Sequence, residues 1–189
     1  MKSISNCSNC TLCNNQKPLL DKSTSAHVMW IGLSAKKVES LFSETPLAAN
    51  TNTGKIVAAI ESKFNNLLFY KTNIVKCLPL DDKKKLRYPN HSEMSACYDN
   101  FEFELKTIKP NLVFLLGKKV SDFIYKQQKN MNYKIEKIEG GWIANDITYM
   151  AIHHPSYIYV YKRKFIDNYI NEVQLAIEIE LANILCIAS

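Results

Sequence analysis

Six cysteines and two adjacent histidines are the residues here whose spacing suggests chemistry. Cys7 and Cys10 form a C-x-x-C pair, followed by Cys13 in C-S-N-C-T-L-C. Cys77 closes the run T-N-I-V-K-C, and Cys97 follows 20 residues later. Two thiolates at C-x-x-C spacing can point to one centre, and two more complete a four-ligand set. Spacing alone leaves several readings open. The centre could be zinc or iron–sulfur, Cys13 could pair in place of Cys10, and the thiols could be buried and free, the plainest account of Cys186. Farther on, a run ends in His153-His154-Pro155-Ser156. A His-Pro turn is commonly structural, but a histidine at a strand end can also carry or donate a proton. Asn73, in the same run as Cys77, could read a polar ligand or satisfy backbone groups. Ser34 and Lys36 make no nucleophile pair, because no third partner is placed near them in sequence.

These residues need a scaffold, and the chain is long enough to supply one. Its 189 residues suit a single domain, residues 1–189, with the polar, cysteine-bearing stretch 1–25 packed onto it. Net charge is +6 and the pI is near 8.9, compatible with a polyanionic partner. The opening M-K-S-I-S-N has no apolar signal core, and no apolar run reaches the ~18 residues of a membrane span. A monomer in the cytoplasm is expected, where cysteines bind metals or stay reduced more often than they pair.

Apolar patterning predicts strands over His27–Ile31, Asn73–Lys76, Asn111–Gly117 and Ile147–His153. Helices are predicted from Gly54 to Asn65 with Thr53 as cap, and from about His91, capped by Asn90 or Ser92, to Pro110. A short helix should follow Gly117. A long amphipathic one should cover Lys162–Ile184, with Ile166, Ile170, Val173, Ile177 and Leu181 on one face. A helical turn is expected at Lys36–Phe42. The stretch Lys126–Asn145 reads as a surface loop or edge strand, and Lys83–Lys85 as a solvated loop. Alternating strands and helices imply an α/β fold: three αβα layers around a mostly parallel, four-stranded sheet. Ligands bind such sheets at the carboxyl ends of the strands. Gly32-Leu33, Cys77-Leu78, Gly117 and His153-His154 all fall there.

Together, C-S-N-C-T-L-C, V-M-W-I-G-L, T-N-I-V-K-C-L-P, the helix with Cys97, I-K-P-N-L-V-F-L-L-G-K and H-P-S-Y resemble the iron–sulfur branch, family 4, of the uracil-DNA glycosylase superfamily. The resemblance runs from about Cys7 to Tyr169. It implies a DNA glycosylase with a 4Fe–4S cluster, rather than zinc, on Cys7, Cys10, Cys77 and Cys97. It implies that Asn73 reads the Watson–Crick edge of a base flipped out of DNA. It implies that His154 stabilises charge on the base, with Gly32, Leu33, Ser34 and Leu47 completing the base pocket. The stretch His154–Tyr161 would form a loop that wedges into the duplex. Ser156, Tyr157, Lys162 and Arg163 would then touch DNA, with Lys164 beside them.

The first motif departs from that family. Its G-E-A-P-G, whose acid helps direct the attacking water, reads Gly32-Leu33-Ser34-Ala35-Lys36 here, and Glu39 is displaced from that role. Its P-F, whose ring stacks on uracil, reads Pro46-Leu47. Three functions follow for testing: a glycosylase with altered base choice, a DNA-binding module without chemistry, and a redox protein. Retention of both Asn73 and His154 favours the first. Its substrate could be uracil or a bulky modified base, such as the glucosylated hydroxymethylcytosine of some phage genomes, which would make it a defence enzyme.

Overall fold

The run Leu112–Leu116 (L-V-F-L-L) is apolar at every position, and all five side chains are buried, as a strand covered on both faces requires. In the computed structural model, which describes the backbone of residues 2–187 and side chains of 4–182, this run lies inside a six-stranded sheet. The strands are β1 (Val28–Ser34), β2 (Phe69–Val75), β3 (Leu112–Leu116), β4 (Ile135–Ile138), β5 (Gly141–Ala144) and β6 (Ile147–Ile152), in the spatial order β2-β1-β3-β6-β5-β4. The first four in that order are parallel; β5 and β4 add on antiparallel. The helices are α1 (Lys2–Ser5), α2 (Asn52–Glu61), α3 (His91–Ile108), α4 (Lys118–Asn130), α5 (Pro155–Tyr161) and α6 (Ile166–Ile187).

Period-two alternation sorts the core into two faces. Met29, Ile31, Val113 and Leu115 face α3, α4 and the N-terminal Leu12 and Cys13. Val28, Trp30, Leu112, Phe114 and Leu116 face α2, α5 and α6. The three αβα layers are as expected, but the sheet has six strands instead of four. The four parallel strands are the expected ones. The extra pair is a hairpin in the stretch read as loop or edge. Its outer strand β4 leaves all four residues at least partly exposed, so it carries no apolar alternation to read.

Several boundaries shift for local reasons. Helix α2 starts two residues earlier, at Asn52, because Thr51, not Thr53, accepts the Gly54 N–H at 3.0 Å. It ends at Glu61, four residues short of Asn65. Asn90 caps α3 in a reciprocal capping box with Glu93, and Lys109 ends it in the left-handed region. Residues 36–42 form no helix. Residues 155–161, expected as a loop, are helix α5, started by Pro155 at its first turn. The long C-terminal helix therefore begins at Ile166, after a 3-10 turn at Arg163–Phe165, and its five named apolar residues all join the core on the α2, α5 and α6 side of the sheet.

Candidate active site

Strands β1 and β2 lie side by side with Gly32 opposite Asn73. A Cβ at Gly32 would sit 2.3 Å from Asn73 Oδ1, so only glycine leaves room for that carboxamide across β1. Asn73 is 4% exposed. Leu47, itself at φ +52°, brings Cδ2 to 3.3 Å from the same point. Gly32 is thus inside β1, not just beyond its end as the sequence suggested, because β1 runs on to Ser34 beside Val75 of β2.

From β6, two strands away, comes His154. It is the N-cap of α5: its Nδ1 accepts the Ser156 N–H at 3.2 Å and lies 2.8 Å from Ser156 Oγ. A nitrogen that accepts from a backbone N–H carries no proton, so the proton sits on Nε2. Gly117, at φ +94°, lets the histidine approach; a Cβ there would stand 3.3 Å from His154 Cβ. The preceding His153 is pinned through its carbonyl, which accepts the Tyr169 hydroxyl at 2.6 Å.

Burial holds the His154 imidazole below its usual pKa. The bond from Ser156 N–H acts in the same direction, since a protonated Nδ1 has no lone pair to offer. Because the folded value lies below the unfolded one (~6.5), the native state binds fewer protons between the two. The stability of the wild type relative to His154→Asn, from urea unfolding, should be constant above pH ~6.5 and fall as the pH drops through the folded value. Relative stability that rises on acidification contradicts a neutral His154.

Leu33, Ser34, Leu47, Asn73 and His154 share one cleft of about 460 Å³. Sequence reasoning missed its other walls, among them Lys36, Thr53, Leu86, Arg87 and Tyr88. Arg87 stands in the loop before α3 and is fixed there. Its guanidinium meets Glu93 with two bonds, at 2.8 and 2.5 Å, and its Nε donates to Leu80 O at 3.0 Å. The signal was the capping-box glutamate, which has a second oxygen to spare. No Asp or Glu lines the cleft among the described residues, and Glu39 stays outside it.

A second groove, about 560 Å³, opens from the first across Leu33, Tyr88 and His154. Ser156, Tyr157, Val160 and Tyr161 form one bank, with Lys118 and Lys119 also along it. Tyr157 and Tyr161 are exposed, with ring centroids 5.3 Å apart. Lys162 and Arg163 lie outside this groove, exposed at the α5–α6 junction; Arg163 covers the Tyr159 ring at 5.4 Å. Lys83 and Lys85 are a solvated turn, both donating backbone N–H to Asp81.

The cysteines gather on the other side of β2. Cys7, Cys10, Cys13, Cys77 and Cys97 line one small cavity with Asn100, and none is in a disulfide. Asn100 Nδ2 lies 3.2 Å from Cys7 Sγ and 3.8 Å from Cys97 Sγ. Burial, then the neighbouring Cys97, pushes the Cys77 thiol up to about 12. Soft sulfur donors grouped in this way fit a thiolate-bound metal centre, whose cation would favour their ionised form. Among the described residues no three such side chains are arranged to hold a metal ion. Zinc needs four sulfurs at about 2.3 Å from one point, whereas a cubane spreads its ligands around a larger body. Cys13, which also lines the cavity, donates its thiol to Cys10 O at 3.2 Å. The Cys186 side chain lies outside the described residues.

Asn73 and His154 thus line one cleft at the carboxyl end of the parallel strands, beside a groove banked by lysines and tyrosines. The sequence pattern of the uracil DNA glycosylase superfamily matches residues 16–176. The chain belongs to that superfamily and is a DNA glycosylase. Within it, the chain resembles the type-4 branch. It is 24% identical over 155 residues to the type-4 uracil-DNA glycosylase of Archaeoglobus fulgidus, covering 76% of this chain and 72% of the relative. It is 22% identical over 160 residues to that of Saccharolobus solfataricus, covering 82% and 71%. The crystal structure of SMUG2 from Pedobacter heparinus shares the fold, with a TM-score of 0.57 at 15% identity over 84% of this chain and 77% of that one. No helix among the described residues is long and apolar enough to cross a membrane.

Proposed function

We propose that this glycosylase excises a modified base larger than uracil. The observation that carries it is the shared cleft: Asn73 and His154 both face it, while Leu33 and Leu47 stand where an acid and a stacking ring would serve uracil. A cleft of about 460 Å³ is of the size that holds a drug-sized ligand. Ser34, Lys36 and Arg87 put polar groups on its walls. A cytosine bearing a glucosylated hydroxymethyl group suits those features, and defence against phage with such DNA would follow. The enzyme would work as a cytoplasmic monomer. Plain uracil is the second reading, favoured by the names of the type-4 relatives.

The target nucleotide must leave the stack to reach the cleft. Asn73 then reads the Watson–Crick edge of the base. The C1′–N bond breaks and its electron pair leaves with the base, so negative charge grows on the base and positive charge on the sugar. The Nε2–H of His154 meets the negative charge on the base oxygen as a fixed donor in a water-poor site. Water adds through its oxygen to C1′ and gives up one proton, and the base takes one up. The products are the free base and an abasic site. Among the described residues no carboxylate lines the cleft, and we assign the orienting of the water to Ser34, which lines it from β1. Incubating the protein with DNA carrying varied bases, then cleaving with alkali, tests this reading; strand breaks at one base only, absent with His154→Ala, support it.

We assign a 4Fe–4S cluster to Cys7, Cys10, Cys77 and Cys97. When bound, it supplies a tie between the N-terminal segment, the end of β2 and α3. DNA contact is assigned to Ser156, Tyr157, Lys162 and Arg163. Replacing Arg163 with alanine should weaken every DNA sequence alike and reduce the slope of log affinity against log salt by about 1. Binding by the wild type that does not respond to salt contradicts this phosphate role.

A further inference from the structure

Beneath the cleft lies an ion pair removed from water. Lys76 Nζ is 2.7 Å from Glu104 Oε2, and both side chains are 0% exposed. The same ammonium donates to the Asn73 carbonyl at 2.5 Å and stands 5.8 Å over the Phe101 ring. The Glu104 carboxylate in turn accepts the Tyr70 hydroxyl at 3.0 Å and the Thr72 hydroxyl at 2.9 Å. One glutamate of α3 thus grips β2 at Tyr70 and Thr72 directly, and at Asn73 through Lys76.

Stability does not explain this arrangement. Burying two charges is costly, and well-packed apolar residues of similar volume commonly do as well or better. What the pair offers is a fixed place for the backbone at Asn73. β2 is an edge strand, and its outer groups are held one by one: Asp21 accepts the Lys71 N–H at 2.9 Å, and the Lys76 carbonyl, just beyond the strand, accepts the Leu19 N–H at 2.8 Å. The Lys76 ammonium holds the Asn73 carbonyl, while Gly32 sets the floor under the carboxamide. A base-reading amide must be held to within a fraction of an ångström to tell donors from acceptors.

We propose that Lys76 and Glu104 are positioning residues that fix the Asn73 carboxamide in its base-reading orientation. This rests on the reading that Asn73 contacts the flipped base. It also explains why the pair sits where it does: Lys76 precedes Cys77, and Glu104 follows Cys97 by about two helical turns, so the cysteine site and the base cleft share one brace.

Removing one partner alone leaves a buried charge and risks the fold. The test therefore uses the double variant Lys76→Met/Glu104→Gln, which removes both charges, keeps volume, and leaves an acceptor for Tyr70 and Thr72. Its melting temperature and its affinity for DNA should match the wild type. Its kcat on the excised base should fall about 10- to 100-fold with KM unchanged. In an Asn73→Ala background the same double change should alter kcat by less than about 2-fold, because the positioned group is gone. In protein labelled with ¹⁵N at asparagine, the Asn73 carboxamide should give one sharp pair of resonances in the wild type and a broadened or doubled pair in the variant. A stable double variant with full kcat and an unchanged Asn73 signal overturns the proposal, as does a kcat loss that persists in the Asn73→Ala background. If the wild type excises no base at all, the base-reading assignment fails, while the Asn73 resonance still decides whether the pair orients it.

Discussion

Replacing His154 with alanine is expected to lower base excision by about 10²–10³-fold, the cost of losing one preorganised donor at a developing negative charge. The affinity for DNA should change little, because the phosphate contacts assigned to Lys162 and Arg163 lie outside the cleft. The fold should also survive. His154 caps α5 through Ser156 N–H, and loss of a cap costs ~1 kcal/mol. Single-turnover rates and anisotropy titrations on the same oligonucleotide separate these effects. A fall in rate of only a few-fold, or an equal fall in affinity, contradicts the role given to His154. Ser156→Ala is a useful companion. It removes the hydroxyl 2.8 Å from Nδ1 but keeps the backbone N–H that fixes the tautomer, so its effect should be smaller.

Replacing Cys77 with alanine is expected to abolish the cluster and loosen the N-terminal segment together. Cys77 is buried and stands just beyond β2, facing a cavity shared with Cys7, Cys10 and Cys97. A metal centre on these thiols would hold its ligands only with the chain folded around it, so its binding energy would be folding energy. The segment's other anchors include Leu12 in the core and single hydrogen bonds: Leu19 N–H to Lys76 O at 2.8 Å, Asn15 Nδ2 to Leu78 O at 3.0 Å, Gln16 Nε2 to Lys36 O at 3.0 Å, Val38 N–H to Gln16 Oε1 at 3.0 Å and Lys71 N–H to Asp21 Oδ2 at 2.9 Å. Wild-type protein should be brown and carry iron. The variant should be colourless, poorly soluble and cut by protease before residue 20. Cys13→Ala should keep its iron, because that thiol is engaged with Cys10 O. A Cys77→Ala protein with full iron content, or a wild type that holds zinc in place of iron, contradicts the assignment.

Much of this site was legible before the fold. β3 could be read because five apolar residues in a row end at a glycine, and α3 because its apolar steps fall between a capping asparagine and a proline. Leu33 and His154, from two of the strand ends that the sequence pointed to, line one cleft, and Asn73, Ser34 and Leu47, named only through the family resemblance, line it too. What escaped depended on pairings and geometry that the local apolar pattern does not carry. Arg87 sits in a charged loop and becomes a wall only because Glu93 grips it. Lys76 reads as a charge at a strand end and is in fact fully buried, which only the position of Glu104 explains. The hairpin β4–β5 has too little apolar alternation on its outer strand to announce itself. Helix α5 was hidden by its own motif, since a His-Pro turn is equally a loop and a helix start.

The claim that base choice has moved away from uracil is tested most directly by relative rates. Matched oligonucleotides carrying uracil, hypoxanthine, cytosine or glucosylated 5-hydroxymethylcytosine would be compared under single-turnover conditions, with His154→Ala as the blank. With Leu33 in place of a water-directing acid, uracil should be removed slowly, by a deficit on the order of 10²–10⁴-fold against an enzyme that keeps such a group. The glucosylated base, filling the space that Leu47 leaves, should be removed faster than uracil. Uracil removed fastest of the four, with no modified base ahead of it, contradicts the claim.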